Sequence, residues 1–292
     1  MLNLRQLESF LAVVAANGFH EAARSLSRSQ PTLTQHIQKL EEELGVILIV
    51  RGGGRQLTRE GHAFLPYARS LVNTAARSRE AIHGRRLAIG ASGNIGTYLL
   101  PPLLARHAAT GAPLPEVTIA PNPSIADKLE RGELDVALME WWDNREGFVA
   151  KLWRREPLIV IAPPSHPWRH RDWIDKQELL GERIIGGEPG TGTGRILAEA
   201  LGDIAHELRI GLSLNNTEAV KNAVRCGLGV SIVMAGTIEQ DIQLGALVQV
   251  PIRGIEMTKG LLTVVPAGIP DRAPIAALLA MFKEPDGAPL VE

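Results

Sequence analysis

Gln30, Thr32, Thr34, Gln35 and Gln38 fall within residues 30–38, and each can offer a hydrogen bond to the edge of a nucleic acid base. Glutamine can pair with adenine, and threonine can bond a base or touch a thymine methyl. Pro31 stands among them, and further on Arg51 and Arg55 flank Gly52-Gly53-Gly54, where a guanidinium suits phosphate oxygens. A second set of small polar residues lies in the other two-thirds of the chain: Ser92, Gly93 and Asn94, then Asn122 and Ser124, then Thr191 and Thr193. Such hydroxyl and amide groups can hold a carboxylate or an inorganic anion with neutral donors and helix dipoles. Neither set carries catalytic chemistry. The eight histidines have no His-Glu-x-x-His spacing, there is no Gly-x-Ser-x-Gly elbow, and Cys226 is the single cysteine. No catalytic residue, metal ligand or cofactor site is therefore expected.

The elements around residues 30–38 are short helices. Leu4, Leu7, Phe10, Leu11 and Val14 recur at helical spacing over residues 4–16, and Ala22, Ala23 and Leu26 mark a second helix with a small-residue face. Ser27-Arg28-Ser29 makes a turn in which Ser29 can cap a third helix, with Pro31 in its first turn. Leu33, Ile37, Leu40 and Leu44 form the buried stripe of that helix, so the five polar residues lie off it. This is a helix-turn-helix pattern, whose second helix enters the major groove. Residues 46–51 and 55–58 read as a β-hairpin wing with Arg51 and Arg55 near its tip. A long helix from Thr58 to about His83 follows, with Phe64, Leu65, Ala68, Leu71, Val72, Ala75 and Ile82 on its apolar face. Such a helix lacks a core of its own and suits pairing with a second copy.

Charge divides the chain in the same place. Residues 1–86 hold 12 Lys+Arg against 7 Asp+Glu, while the rest carries a net charge of −6. A basic end on an acidic body suits a polyanion at that end alone. One cysteine fits a reducing cytosol, no apolar run approaches the ~20 residues of a membrane span, and the start has no basic leader. A cytoplasmic location is expected.

After residue 86 short apolar runs alternate with helical stretches, which predicts parallel sheets covered by helices. The predicted strands are 87–91, 117–120, 135–139, 158–162, 183–186, 208–214 and 230–234, with helices at 95–109, 124–131, 194–201 and 217–226. The three small-polar segments fall at strand ends before helices, where such folds bind ligands. Gly190-Thr191-Gly192-Thr193-Gly194 is not a nucleotide loop: it lacks the P-loop lysine, and Arg195 replaces the last glycine of a dinucleotide fingerprint. Cys226 reads as a buried thiol, and Trp141-Trp142 as a packed contact.

Taken in order, Leu4-Arg5-Gln6-Leu7-Glu8-Ser9-Phe10, Ala22-Ala23, Ser29-Gln30-Pro31, Ile37-Gln38-Lys39-Leu40-Glu41, Leu44-Gly45 and Leu57-Thr58-Arg59-Glu60-Gly61 resemble the LysR-type transcriptional regulators. The likeness covers essentially the whole chain. It departs at the wing, where Ile49 and Val50 stand in place of the usual aromatic and acid before Arg51. The resemblance implies a multidomain chain: an all-α winged helix-turn-helix domain, a long linker helix, and an α/β effector domain like the periplasmic binding proteins, with two subdomains around a cleft. The expected boundaries are 1–58, 59–84 and 85–292, with subdomains at about 87–161 plus 266–292 and about 162–265. It implies a homodimer or homotetramer on double-stranded promoter DNA, a small-molecule effector in the cleft, and RNA polymerase as a further partner. Ser92, Asn94, Asn122, Thr191 and Thr193 are carried over as cleft residues, and the stretch around Ile89–Pro101 leans toward regulators of sulfur and carbon-dioxide assimilation. The alternative is a solute-binding protein whose N-terminal helices serve assembly alone.

Overall fold

A computed structural model describes residues 1–50, 56–82, 86–187 and 192–267. The chain divides into two compact units, Met1–Ala88 with Ala126–Asp135, and Ile89–Ile125 with Val136–Glu292.

In the first unit, helices α1 (Leu4–Ala15), α2 (Phe19–Ser25) and α3 (Gln30–Leu44) close on one apolar core. Leu7, Phe10 and Val13 of α1, Ala22 and Ala23 of α2, and Leu33, Ile37 and Leu40 of α3 are all buried there. Small residues on α2 let the helix backbones approach. A wing follows, in which Ile49 bridges Leu57 antiparallel and Val50 N donates to Gln56 O at 2.9 Å. Helix α4 (Arg59–Ile82) starts beneath it. At Gly61 any Cβ would lie 2.2 Å from the Leu48 carbonyl oxygen, so only glycine allows the helix to begin this close to the wing. The first half of α4 does have a core of its own. Ala68 is buried in the helix-turn-helix cluster with Phe64, Leu65 and Val72 against it, and the Phe10 and Phe64 rings sit 5.8 Å apart. Tyr67 and Leu71 are left exposed.

The second unit is built on a seven-stranded sheet. Its strands are β1 (Ala88–Ser92), β2 (Glu116–Ala120), β3 (Val136–Met139), β4 (Phe148–Ala162), and, beyond β5 (Arg183–Ile185) and β6 (Arg209–Leu212), β7 (Ser231–Met234), β8 (Val248–Val250) and β9 (Met257–Pro266). The order is β2-β1-β3-β9-β4-β7 with β8 also on β4, while β5 and β6 form a separate parallel pair. The expected parallel sheet is thus a mixed one: β1 and β3 are parallel, but β9 runs antiparallel to β3 and β4, and β7 and β8 run antiparallel to β4. The β4–β9 ladder is long, with β3 pairing on β9 at residues 262–264 and β7 on β4 at residues 158–161. Only the apolar end of β4 was legible, because Lys151, Arg154, Arg155 and Glu156 interrupt the remainder.

The helices of this unit are α5 (Leu100–Ala109), α7 (Gly192–Leu201), α8 (Thr217–Arg225) and α9 (Glu239–Gln243), with the start of α6 (Asn122–Glu130), whose residues from Ala126 onward belong to the first unit. The single helix expected over 95–109 opens instead with a π-helical turn at Ile95–Leu99. Pro101 and Pro102 lack the N–H groups that would bond back into that turn, which breaks the α pattern there. Cys226 is exposed rather than buried, because it caps α8 beyond the last buried residue, Val224. No helix among the described residues is long and apolar enough to cross a membrane.

Candidate functional site

Ser29 caps α3, its Oγ accepting from Thr32 N at 3.3 Å, and Pro31 occupies the first turn where its missing N–H costs nothing. With Leu33, Ile37 and Leu40 turned into the core, Gln30, Pro31 and Gln35 are exposed and Thr32, Thr34 and Gln38 half-buried. The whole set lies off the buried stripe. Two hydroxyls are engaged within the helix: Thr34 Oγ1 donates to Gln30 O at 3.0 Å, and Thr32 Oγ1 lies 2.7 Å from Ser29 Oγ. That leaves Gln30 and Gln35 as the exposed amides of α3's first two turns.

α3 is locked to α1 through buried Ser9. Its Oγ donates to Arg5 O at 2.8 Å, sits 2.7 Å from His36 Nδ1, and accepts from Arg28 at 3.3 Å. Burial and then the nearby cations Arg28, Lys39 and Arg5 hold His36 below the usual imidazole range. The wing is locked to α3 through buried Glu41, whose Oε1 accepts from Leu48 N at 2.8 Å and Ile49 N at 3.1 Å. Sequence reasoning missed Glu41, since Glu41-Glu42-Glu43 reads as a solvated run. Arg51 and Arg55 lie outside the described residues.

In the second unit, two of the three small-polar segments meet at a charged pair. Glu140, just past β3, accepts from Ser92 Oγ at 3.2 Å and Asn94 Nδ2 at 3.4 Å, and forms an ion pair with Lys259 of β9. Lys259 is buried, and its Nζ also donates to Thr193 Oγ1 at 3.3 Å. Thr217, the first residue of α8, donates to Asn94 Oδ1 at 2.6 Å. The expectation of neutral donors alone is therefore incomplete: the cluster contains an acid and a lysine. Both had a signal, a carboxylate at a strand's carboxyl end and a lone lysine in the apolar run 257–266.

The other candidates are placed differently. Asn122 is buried, but its amide clamps backbone, donating to Trp141 O at 2.8 Å and accepting from Glu140 N at 2.9 Å. It positions Glu140. Gly93 and Ser124 are exposed, and Thr191 lies outside the described residues. Trp141 borders the cluster: a Cβ on Gly192 would lie 3.3 Å from its ring and 3.4 Å from Lys259 Cε, while the Arg195 guanidinium lies 5.3 Å from its ring centre. Trp142 turns to Phe148, with ring centres 5.6 Å apart.

A second polar network adjoins through α8. Tyr98 OH donates to Glu218 at 2.8 Å, and buried Lys221 contacts Glu218 at 2.6 Å, Asp241 at 2.8 Å and Thr237 O at 2.8 Å. Burial pushes the Tyr98 hydroxyl up, helped by its bond to the Glu218 carboxylate. Burial would raise Glu218 too, but hydrogen bonds from Lys221 and Tyr98 and the charges of Lys221 and Arg225 bring it below its ordinary value. Among the described residues no group of three or more His, Cys, Asp or Glu could hold a metal ion.

A polar helix presented by a helix-turn-helix, followed by an α/β unit with a polar cluster at its strand ends, matches two family profiles. The bacterial regulatory helix-turn-helix protein, lysR family, matches residues 4–62, and the LysR substrate binding domain matches residues 82–285. The chain belongs to the LysR family. Its relatives include PtxE of Stutzerimonas stutzeri, named an HTH-type transcriptional regulator protein, 45% identical over 196 residues that cover 66% of this chain and 100% of the relative. The HTH-type transcriptional regulator CbbR of Sinorhizobium medicae is 34% identical over 257 residues, 85% of this chain and 82% of the relative. Among solved structures, full-length CbnR complexed with its target DNA superposes with a TM-score of 0.61 at 26% identity, covering 96% of this chain and 98% of that one. This LysR-family chain is a transcriptional regulator with a DNA-binding helix-turn-helix and an effector-binding domain.

Proposed function

We propose that this LysR-family regulator reads promoter DNA with Gln30, Pro31, Thr32, Thr34, Gln35 and Gln38, steadied on phosphates by Arg51 and Arg55. Residues 1–58 form the reading domain, 59–84 the linker helix that pairs two copies, and 85–292 the effector domain. A homodimer or homotetramer in the cytoplasm regulates transcription, without catalysis of its own, and RNA polymerase is its further partner. Ser92, Asn94 and Thr193, gathered around Glu140 and Lys259, bind a small metabolite. Binding acts through differential affinity for two conformations of the regulator. The observation that carries the reading is the exposure of Gln30 and Gln35 on a helix capped by Ser29 and anchored by Leu33, Ile37 and Leu40. Relatives named for RuBisCO or its operon support a metabolic operon as the target.

The test is capture of genomic fragments by the purified protein at physiological salt, followed by sequencing. Enrichment of paired, dyad-related half-sites beside promoters is expected, with affinity falling steeply as salt rises. Uniform or absent enrichment from folded, dimeric protein would overturn the reading.

A further inference from the structure

Ser92 Oγ, Asn94 Nδ2 and Lys259 Nζ come from β1, the turn after it and β9, and all three point at one carboxylate, that of Glu140. Thr193 of α7 completes the ring through Lys259 at 3.3 Å. We propose that Glu140 is an internal stand-in for the acid group of the effector, which is a small molecule carrying a carboxylate or phosphate-like group that takes the place of Glu140 on Lys259. This rests on the reading of the C-terminal unit as an effector domain and adds the chemistry and the switching step.

Three observations carry it. Lys259 is buried, and a buried ammonium needs an anion beside it, so the site holds a negative group in either state. The hold on Glu140 by its neutral donors is loose, at 3.2 and 3.4 Å, so an entering acid displaces few strong bonds and inherits the same three donors. Finally, Asn94 is shared: its Nδ2 faces Glu140 while its Oδ1 accepts from Thr217 at 2.6 Å. Exchange at Glu140 is thereby felt at the first turn of α8, which gives the two states a structural difference.

The test titrates inorganic phosphate into the full-length protein by calorimetry at matched ionic strength. Removing the internal acid with Glu140→Gln is expected to tighten phosphate binding at least tenfold, and adding Lys259→Gln to that variant abolishes the binding. Glu140→Ala is made alongside; if either variant folds only when phosphate is present, that result also supports the exchange. Equal phosphate affinity in wild type, Glu140→Gln and the double variant would overturn it, as would failure of both single variants to fold with phosphate present. The same preparations are assayed for capture of genomic DNA fragments. Selective capture with unchanged phosphate affinity removes the stand-in alone, whereas wild-type protein that captures no discrete fragments removes the regulator reading, whatever phosphate does.

Discussion

Gln30 stands exposed in the first turn of α3, and its amide can both donate to and accept from an adenine edge. Replacing it with alanine is expected to cost about 1–3 kcal/mol at its base and to relax sequence preference while leaving phosphate contacts alone. Competition between operator and scrambled DNA measures this; unchanged discrimination removes Gln30 from the reading set. Glu41 is the opposite kind of residue, hidden rather than offered. Its carboxylate satisfies the N–H groups of Leu48 and Ile49. Glu41→Ala strands two buried donors, each worth about 1–3 kcal/mol, so the midpoint of denaturant unfolding should fall clearly. Glu41→Gln, which keeps one acceptor oxygen, should recover part of the loss. The outward residues of α3 were legible because periodicity separates them from Leu33, Ile37 and Leu40. Glu41 was not, because its role depends on where the wing strand lies.

At the scale of elements, α4 serves two partners. Phe64, Leu65, Ala68 and Val72 pack on its own helix-turn-helix core, while Tyr67 is 64% exposed and Leu71 43%, four residues apart on one face. The sequence grouped Leu71 with Phe64 and Ala68 as one apolar face, since it could not show which part the core would use. If α4 pairs two copies as proposed, this exposed pair is the surface that a second copy would cover. Tyr67→Glu with Leu71→Glu should weaken self-association at least tenfold by sedimentation and weaken DNA binding with it, leaving helical content unchanged. A dimer of undiminished strength would place the pairing elsewhere. The start of α4 is fixed differently: Gly61→Ala sets a methyl 2.2 Å from the Leu48 carbonyl oxygen. Overpacking of this kind costs about 1–3 kcal/mol, visible as a lowered melting temperature. In the second unit the limits of sequence reading are strand pairings. β4 carries four charged residues among its fifteen, and this charged stretch is paired by β9, from far along the chain. The register of β9 on β3 brings Lys259 to Glu140, so the ion pair of the candidate site could not be read although each residue carried a signal of its own.

Across the whole molecule, the second unit joins its polar cluster to a second network through two neighbours on α8. Thr217 bonds Asn94, and Glu218 bonds Tyr98 while meeting Lys221 and Arg225. The clustering of donors at strand ends was legible, since three segments of small polar residues announced it. The ion pairs were not, because Lys221 and Asp241 look like surface charges until α8 packs against α9. This network gives a stability profile with two edges. Glu218 titrates below its ordinary value when folded, so its contribution is present above about pH 4.5 and is lost as pH falls through the folded value. Tyr98 titrates above its ordinary value, so its contribution holds below about pH 10 and is lost as pH rises beyond that. Tyr98→Phe removes the hydrogen bond that serves both. The acid edge should then move to higher pH, because Glu218 loses a donor that favours its charged form, and the alkaline edge should flatten, because no buried phenol remains there. Unfolding midpoints measured across the pH range test this pair of shifts. A Tyr98→Phe profile that is lowered by the same amount at every pH would mean that the ring packs at this position without its hydroxyl coupling to Glu218, and the link from the cluster to α8 would then rest on Asn94 and Thr217 alone.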